Sequence, residues 1–335
     1  MKAFVTGGTG FIGANLVAGL NRRGIGVRVL HRENSSLEAL TSLEFEGVVG
    51  DILDESAALA EAMAGCDWLF HVAAVADYWR QGTERLYRVN VEGTRRLLAA
   101  AEKAKISRFV FTSSLAAMGL PEKGSEGPPS GPQLLDEQSS FNLAPEAFPY
   151  GHSKALAEAA VQEAVAVGLE AIIVNPTVVL GPRDVNLISG SLIVEAARGR
   201  LRFAPPGGVN FVAVEDVVAG HIAAAERGRV GERYILGAHN LPYAEAITTI
   251  CEVVGQPPPQ LQIPRWALGP AAAAVAAARA VLGNRVPVDS RQVRMMGAFI
   301  YADTEKAVRE LNLPQTPFKN AVQQSYSWYN EHGYL

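Results

Sequence analysis

Tyr150 and Lys154 stand four residues apart in Tyr150-Gly151-His152-Ser153-Lys154, a spacing that puts phenol and ammonium on one face of a helix. An unperturbed tyrosine titrates near ~10, too high for efficient proton exchange at neutral pH, and a neighbouring positive charge lowers that value. The pair is therefore a candidate proton donor with a cation beside it. Upstream, the apolar run 109–112 ends at Thr112 and is followed by Ser113-Ser114. Strand ends of an open α/β sheet gather ligand sites, and a serine hydroxyl there can hold a carbonyl oxygen next to the phenol.

A second motif opens the chain. Thr6-Gly7-Gly8-Thr9-Gly10-Phe11-Ile12-Gly13 spaces Gly7, Gly10 and Gly13 as G-x-x-G-x-x-G between a strand-like run and a helical one. Gly7 suits a tight turn, Gly10 admits a pyrophosphate close to the backbone, and Gly13 lets helix and strand pack closely. The helix start adds unpaired N–H groups and a positive dipole end. A dinucleotide site is the expectation. The residue that would hold a ribose 2′-hydroxyl as a carboxylate, at the end of the second strand, is His31. Arg32 follows and can pair with a 2′-phosphate in fork geometry. NADP(H) is therefore expected in preference to NAD(H), with Glu33 the residue through which NAD(H) would still bind.

These groups must be positioned by a scaffold, and the pattern names it. Strand-like runs at 3–6, 27–30, 48–50, 68–71, 109–112 and 171–174 alternate with helical segments such as 11–23 and 91–105, the signature of a parallel sheet covered on both faces. The expected fold is α/β: a Rossmann doubly wound parallel sheet with a smaller, mostly helical C-terminal substrate domain. Residues 1–178 form the dinucleotide-binding domain, with 209–237 returning to the sheet edge, and residues 179–208 and 238–335 form the substrate-binding domain. The proline-rich stretch 120–149 reads as a long loop over the site.

Composition excludes other classes. The chain has 335 residues, 48% hydrophobic and 19% charged, with a net charge of −4. It is too apolar for a disordered chain and lacks the basic field of a nucleic-acid binder. Cys66 and Cys251 are too far apart in sequence for a zinc motif or disulfide framework and read as buried thiols. The first residues enter a strand without a leader pattern, so a cytoplasmic location is expected. The apolar segment 266–282 is short for a membrane span; a buried or surface-docked helix is the expectation, with membrane contact the minority alternative.

With these motifs the chain resembles the extended short-chain dehydrogenase/reductase superfamily, the NAD-dependent epimerase/dehydratase family, over almost its full length. Also matching are Gly50-Asp51, His71-Val72-Ala73-Ala74, Asn90-Val91-Glu92-Gly93-Thr94 and Asn175-Pro176-Thr177. The resemblance implies that Asp51 and Ile52 border an adenine, that Ala73 and Ala74 line the ribose side, and that Pro176 to Val178 pass the nicotinamide. It makes Ser114 the catalytic hydroxyl, with Ser113 the neighbouring alternative. Two branches look similar: dihydroflavonol-reductase-like proteins and hopanoid-associated sugar epimerase-like proteins. Nucleotide-sugar enzymes usually carry an arginine where this chain has Val209-Asn210; Arg183, Arg198, Arg200 and Arg202 are the substitutes to weigh.

The reading is an NADP-dependent carbonyl reductase or alcohol dehydrogenase with a Ser114, Tyr150, Lys154 triad, acting on a small, partly apolar ketone or alcohol without a metal. The rivals are a nucleotide-sugar epimerase or dehydratase and a non-catalytic dinucleotide sensor. Tyr78, Trp79 and Met118 are the substrate-pocket candidates. The protein is expected as a monomer or homodimer whose partner is a small molecule, not nucleic acid.

Overall fold

A computed structural model of the chain describes residues 1–76, 82–121, 133–283, 286 and 289–335. The first half runs β1 (Lys2–Thr6), α1 (Phe11–Arg22), β2 (Gly26–His31), β3 (Glu46–Val49), α2 (Ser56–Ala62), β4 (Trp68–His71), α3 (Thr83–Tyr87), α4 (Gly93–Lys103), β5 (Arg108–Thr112), α5 (Pro149–Ala166) and β6 (Ala171–Pro176). The second half runs β7 (Val178–Leu180), α6 (Ser191–Ala197), β8 (Phe203–Ala204), β9 (Gly208–Ala213), α7 (Val214–Arg227), β10 (Arg233–Leu236), β11 (His239–Pro242), α8 (Tyr243–Val254), β12 (Leu261–Gln262), α9 (Leu268–Leu282), α10 (Ser290–Met295), β13 (Phe299–Ile300), α11 (Glu305–Leu311) and α12 (Phe318–Glu331).

The main sheet has seven parallel strands in the order β3-β2-β1-β4-β5-β6-β10, the Rossmann arrangement. Strand alternation divides its apolar residues between two cores. Ala3, Val5, Phe70, Val110, Ile172 and Val174 pack on the α1 and α7 side, while Phe4, Leu69, Phe109, Phe111 and Ile173 pack with α2, α4 and α5. Both faces are buried, so the strands read as continuous apolar runs. The strand order reverses between β1 and β4. The crevice above such a switch point is where open α/β sheets take ligands, and both the glycine loop after β1 and the Ala73 segment after β4 open there.

The smaller lobe is built on β9, which pairs with β7, β11 and β13 and packs with α6, α8 and α12 around Phe211, Ile247, Phe318 and Tyr329. Two details differ from the sequence reading. The segment expected to return to the main sheet at 210–214 supplies β9 of the smaller sheet instead, because its backbone is already paired there; α7 and β10 make the return. The helix expected over 91–105 starts only after a π-helical turn, Arg88–Glu92. Within the 266–282 segment α9 buries only Leu268 and Ala272, the surface-docked form of the expected helix. Cys66 and Cys251 are buried, free thiols, and among the described residues no helix is long and apolar enough to cross a membrane.

Candidate active site

The glycine loop is sterically committed. Gly7 has φ +70°, and a Cβ on it would sit 2.5 Å from the Ala73 backbone nitrogen. On Gly13 it would lie 2.1 Å from the Gly7 carbonyl oxygen. Backbone cannot yield as a flexible side-chain tip can, so both positions require glycine. Helix α1 begins after Gly10 with no side-chain cap and no acidic residue in its first turn. Its N–H groups and dipole thus face the switch-point crevice without a protein anion. Thr9 and Ile12 are half-buried, while Phe11 is buried in the core.

At the end of β2, His31 keeps its Nδ1 on the Arg32 carbonyl at 3.1 Å, and Arg32 and Glu33 are exposed. Among the described residues Arg32 has no ion-pair partner. Asp51 receives Leu53 N–H at 3.0 Å, a turn that buries Ile52. Ala73 is half-buried and Ala74 exposed. The cradle closed to any Cβ, the uncapped helix and the unpaired guanidinium fit a dinucleotide phosphate.

Across the crevice, Ser114 caps the turn after β5: its Oγ accepts from Ala116 N at 3.2 Å, and its hydroxyl lies by the Tyr150 phenol. Burial pushes the Tyr150 phenol above its ordinary value, and the Ser114 hydrogen bond tempers the rise. The sequence reading has Lys154 drawing Tyr150 down; here burial sets the direction, Lys154 is not among the groups that shift it, and the phenol is protonated at neutral pH. Lys154 is buried, donates to the Thr112 carbonyl at 2.8 Å and lies 5.0 Å from the Phe111 ring centroid. Burial pushes its ammonium down to about 8, with Glu158 opposing the shift.

Several polar residues outside the Ser114, Tyr150, Lys154 triad hold these groups in place. Asn175 gives one amide hydrogen to the Ser114 carbonyl at 3.0 Å and the other to Glu158 Oε1 at 2.6 Å. The second oxygen of Glu158 takes Arg233 at 3.2 Å, and Arg233 also reaches the carbonyls of Glu137 and Ser139, tying the proline-rich stretch to the sheet edge. Asn90, in the π-helical turn, donates to Val75 O and Ser153 Oγ and accepts from Val75 N. Ser153 in turn donates to the Tyr150 carbonyl. Glu158 lies one turn beyond Lys154, the sequence signal that could have flagged it; Asn90 and Asn175 stand in the matched motifs, which give them no role.

Buried histidines complete the frame. Thr94 spends its hydroxyl hydrogen on the Asn90 carbonyl at 2.7 Å, so it accepts from His71 Nε2 at 2.9 Å. His71 Nδ1 then accepts from Thr6 Oγ1 at 2.8 Å, which fixes one neutral tautomer. His221 donates through Nδ1 to Val217 O and accepts from Thr112 Oγ1.

Three buried polar atoms at the ends of β5 and β6 lack hydrogen-bond partners among the described residues: Ser113 Oγ, Asn175 Oδ1 and Thr177 Oγ1. They flank the path of Pro176 and Val178. Buried groups of this kind call for a partner, and a polar ligand in the crevice would supply one. Met118 is fully buried and packs with Leu115, Leu135, Ile235 and Ala302, so its role is packing. Tyr78 and Trp79 lie outside the described residues.

The chain belongs to the NAD-dependent epimerase/dehydratase family, whose model matches residues 3–237, and is an NAD(P)-dependent enzyme of the extended short-chain dehydrogenase/reductase type. A protein assigned as a dihydroflavonol 4-reductase in Synechocystis sp. is 38% identical, the match covering 99% of this chain and 95% of that one. Sterol demethylase protein B of Methylococcus capsulatus is 32% identical over the full length of both. The crystal structure of a nucleoside-diphosphate-sugar epimerase from Pseudomonas aeruginosa superposes with a TM-score of 0.78 at 26% identity, covering 100% of this chain and 99% of that one.

Proposed function

We propose that the protein is an NADP-dependent carbonyl reductase, or alcohol dehydrogenase in the reverse direction, acting on a small, partly apolar ketone or alcohol. The observation that carries this reading is the placement of the Ser114 hydroxyl by the Tyr150 phenol, one helical turn from buried Lys154, at the strand ends onto which the glycine loop also opens. Gly7, Gly10 and Gly13 would cradle the pyrophosphate, Arg32 the 2′-phosphate, and Thr177 and Ser113 the polar groups nearer the reacting end. When bound, the nicotinamide supplies or accepts a hydride. In reduction Tyr150, protonated at neutral pH, gives its proton to the carbonyl oxygen while Ser114 donates a hydrogen bond to the same atom. Lys154 stabilises the tyrosinate left behind, which recovers a proton from water.

The main rival is epimerisation of a nucleotide sugar, the activity for which the Pseudomonas protein is named. It is disfavoured because three of the four arginines that could replace the missing cation are already engaged, Arg202 alone being exposed without an ion-pair partner among the described residues. Asn210 is buried with its amide spent on Asn240 and Ala238, Arg183 binds the Ala39 carbonyl, and Arg198 and Arg200 pair with Glu195. The relatives named for a dihydroflavonol and a sterol favour an uncharged cyclic substrate. The division into a dinucleotide-binding unit and a substrate-binding lobe, a cytoplasmic location and a monomer or homodimer belong to the same proposal. The test is to incubate the purified protein with NADPH and a panel of uncharged ketones. Stoichiometric NADPH oxidation with one of them supports the reading. Inversion of a sugar centre in a uridine or guanosine diphosphate sugar, without net NADPH consumption, overturns it.

A further inference from the structure

Helix α9 is apolar on both sides. Leu268, Ala272 and Val275 recur at helical spacing and pack against Val293 of α10. The opposite stripe, Pro270, Ala273, Ala274, Ala277 and Val281, is exposed, Val281 to 83%. Arg279 is the one charged side chain in the helix. A surface helix ordinarily turns polar residues to water; this one turns alanine and valine. The segment leading into it continues the pattern. Strand pairing sets Phe203 directly beside Leu261, both are exposed, and Trp266 just before the helix is 80% exposed.

The charge around this face is one-sided. Residues 255–300 contain five arginines and a single carboxylate, Asp289, in a chain whose net charge is −4. Asp289 is buried, caps α10 and pairs with Arg291 at 3.3 Å, so it presents no anion to a partner. Arg265 sits next to Trp266, exposed Arg202 next to Phe203, and exposed Arg294 on α10.

The geometry points to α9, with Trp266, Leu261 and Phe203, as a docking face for an anionic lipid bilayer. An apolar stripe carrying a tryptophan and flanked by arginines is the composition that settles into the headgroup boundary, where the rings and aliphatic groups leave water and the guanidinium groups meet lipid phosphate. With 15 residues α9 reaches about 22 Å, short of the ~30 Å hydrocarbon core, so it would lie in the plane of the interface. A second copy of the chain is the poorer occupant, because a symmetric contact through this face would bring like charges together.

Flotation of the full-length protein with vesicles tests this, using phosphatidylcholine alone and phosphatidylcholine containing one-third phosphatidylglycerol, at low and high salt. The expected result is at least about tenfold stronger binding to the anionic vesicles at low salt, weakened by high salt. Trp266→Glu combined with Val281→Glu should abolish that binding while circular dichroism and thermal unfolding stay unchanged, since both positions are exposed. Absence of binding to anionic vesicles, or binding undiminished in the double variant, would overturn the proposal. So would a lipid-free dimer in sedimentation that the same substitutions dissociate. Soluble-substrate turnover reports separately on the proposed reaction and is expected to be normal in the double variant.

Discussion

Glu158 and Asn175 meet at 2.6 Å, the carboxylate accepting from the amide, and through that contact the base of α5 is fastened to the Ser114 carbonyl on one side and to Arg233 on the other. Three elements distant in sequence thus share one buried polar junction directly beneath the site.

Arg233→Ala should deprive buried Glu158 of its ion-pair partner, leaving it only Asn175 and the Lys154 charge, and release the carbonyls of Glu137 and Ser139. Breaking a buried pair of this kind costs about 3 kcal/mol or more. Urea unfolding should register the loss, and Glu158→Gln, which keeps the Asn175 hydrogen bond, should lose less. Wild-type stability in Arg233→Ala would mean that the pair contributes nothing.

Tyr150→Phe preserves the ring and removes the proton donor. Turnover should fall at least about 10²-fold, the lower range for general acid–base catalysis, while affinity for NADP, read by titration calorimetry, changes little. Near-normal turnover would remove Tyr150 from the mechanism.

Arg32 is exposed at the end of β2, where a 2′-phosphate would meet it. NADP should bind at least about tenfold more tightly than NAD, since that ratio needs only ~1.4 kcal/mol and a charge-assisted contact exceeds it. Arg32→Ala should narrow the gap. Equal affinity of the wild-type protein for both dinucleotides would contradict the assignment.

The buried histidines make stability depend on acid. Burial pushes His71 down to about 3 and His221 down to about 4, against 6.5 when exposed in the unfolded chain. Between those values the unfolded chain binds more protons, so stability is full above 6.5 and falls as the pH drops through the window toward 4. At pH ~5 each imidazole should account for a loss of about 2 kcal/mol. Replacing His221 with Gln should make the decline of unfolding free energy with acid measurably shallower; an unchanged slope would mean that His221 titrates freely.

Much of this was written locally. The Gly7, Gly10, Gly13 spacing needs only the neighbouring strand and helix to acquire its meaning, and the β1, β4, β5 and β6 runs are recognisable because burial on both faces forces continuous apolar sequence. The helical spacing of Tyr150 and Lys154 is likewise a property of one segment. What the sequence left open depends on contacts between segments far apart. No local pattern says that Asn175 will bridge Ser114 and Glu158, that His71 will be locked as one neutral tautomer between Thr6 and Thr94, or that desolvation will hold Tyr150 protonated. The strand at 210–214 looked ready for the main sheet, but strand identity does not specify which backbone it pairs with, and the smaller sheet claimed it. Helix α9 is the same lesson in reverse: its composition suits burial, and only the packing of the lobe around it decides that one apolar side is left facing outward.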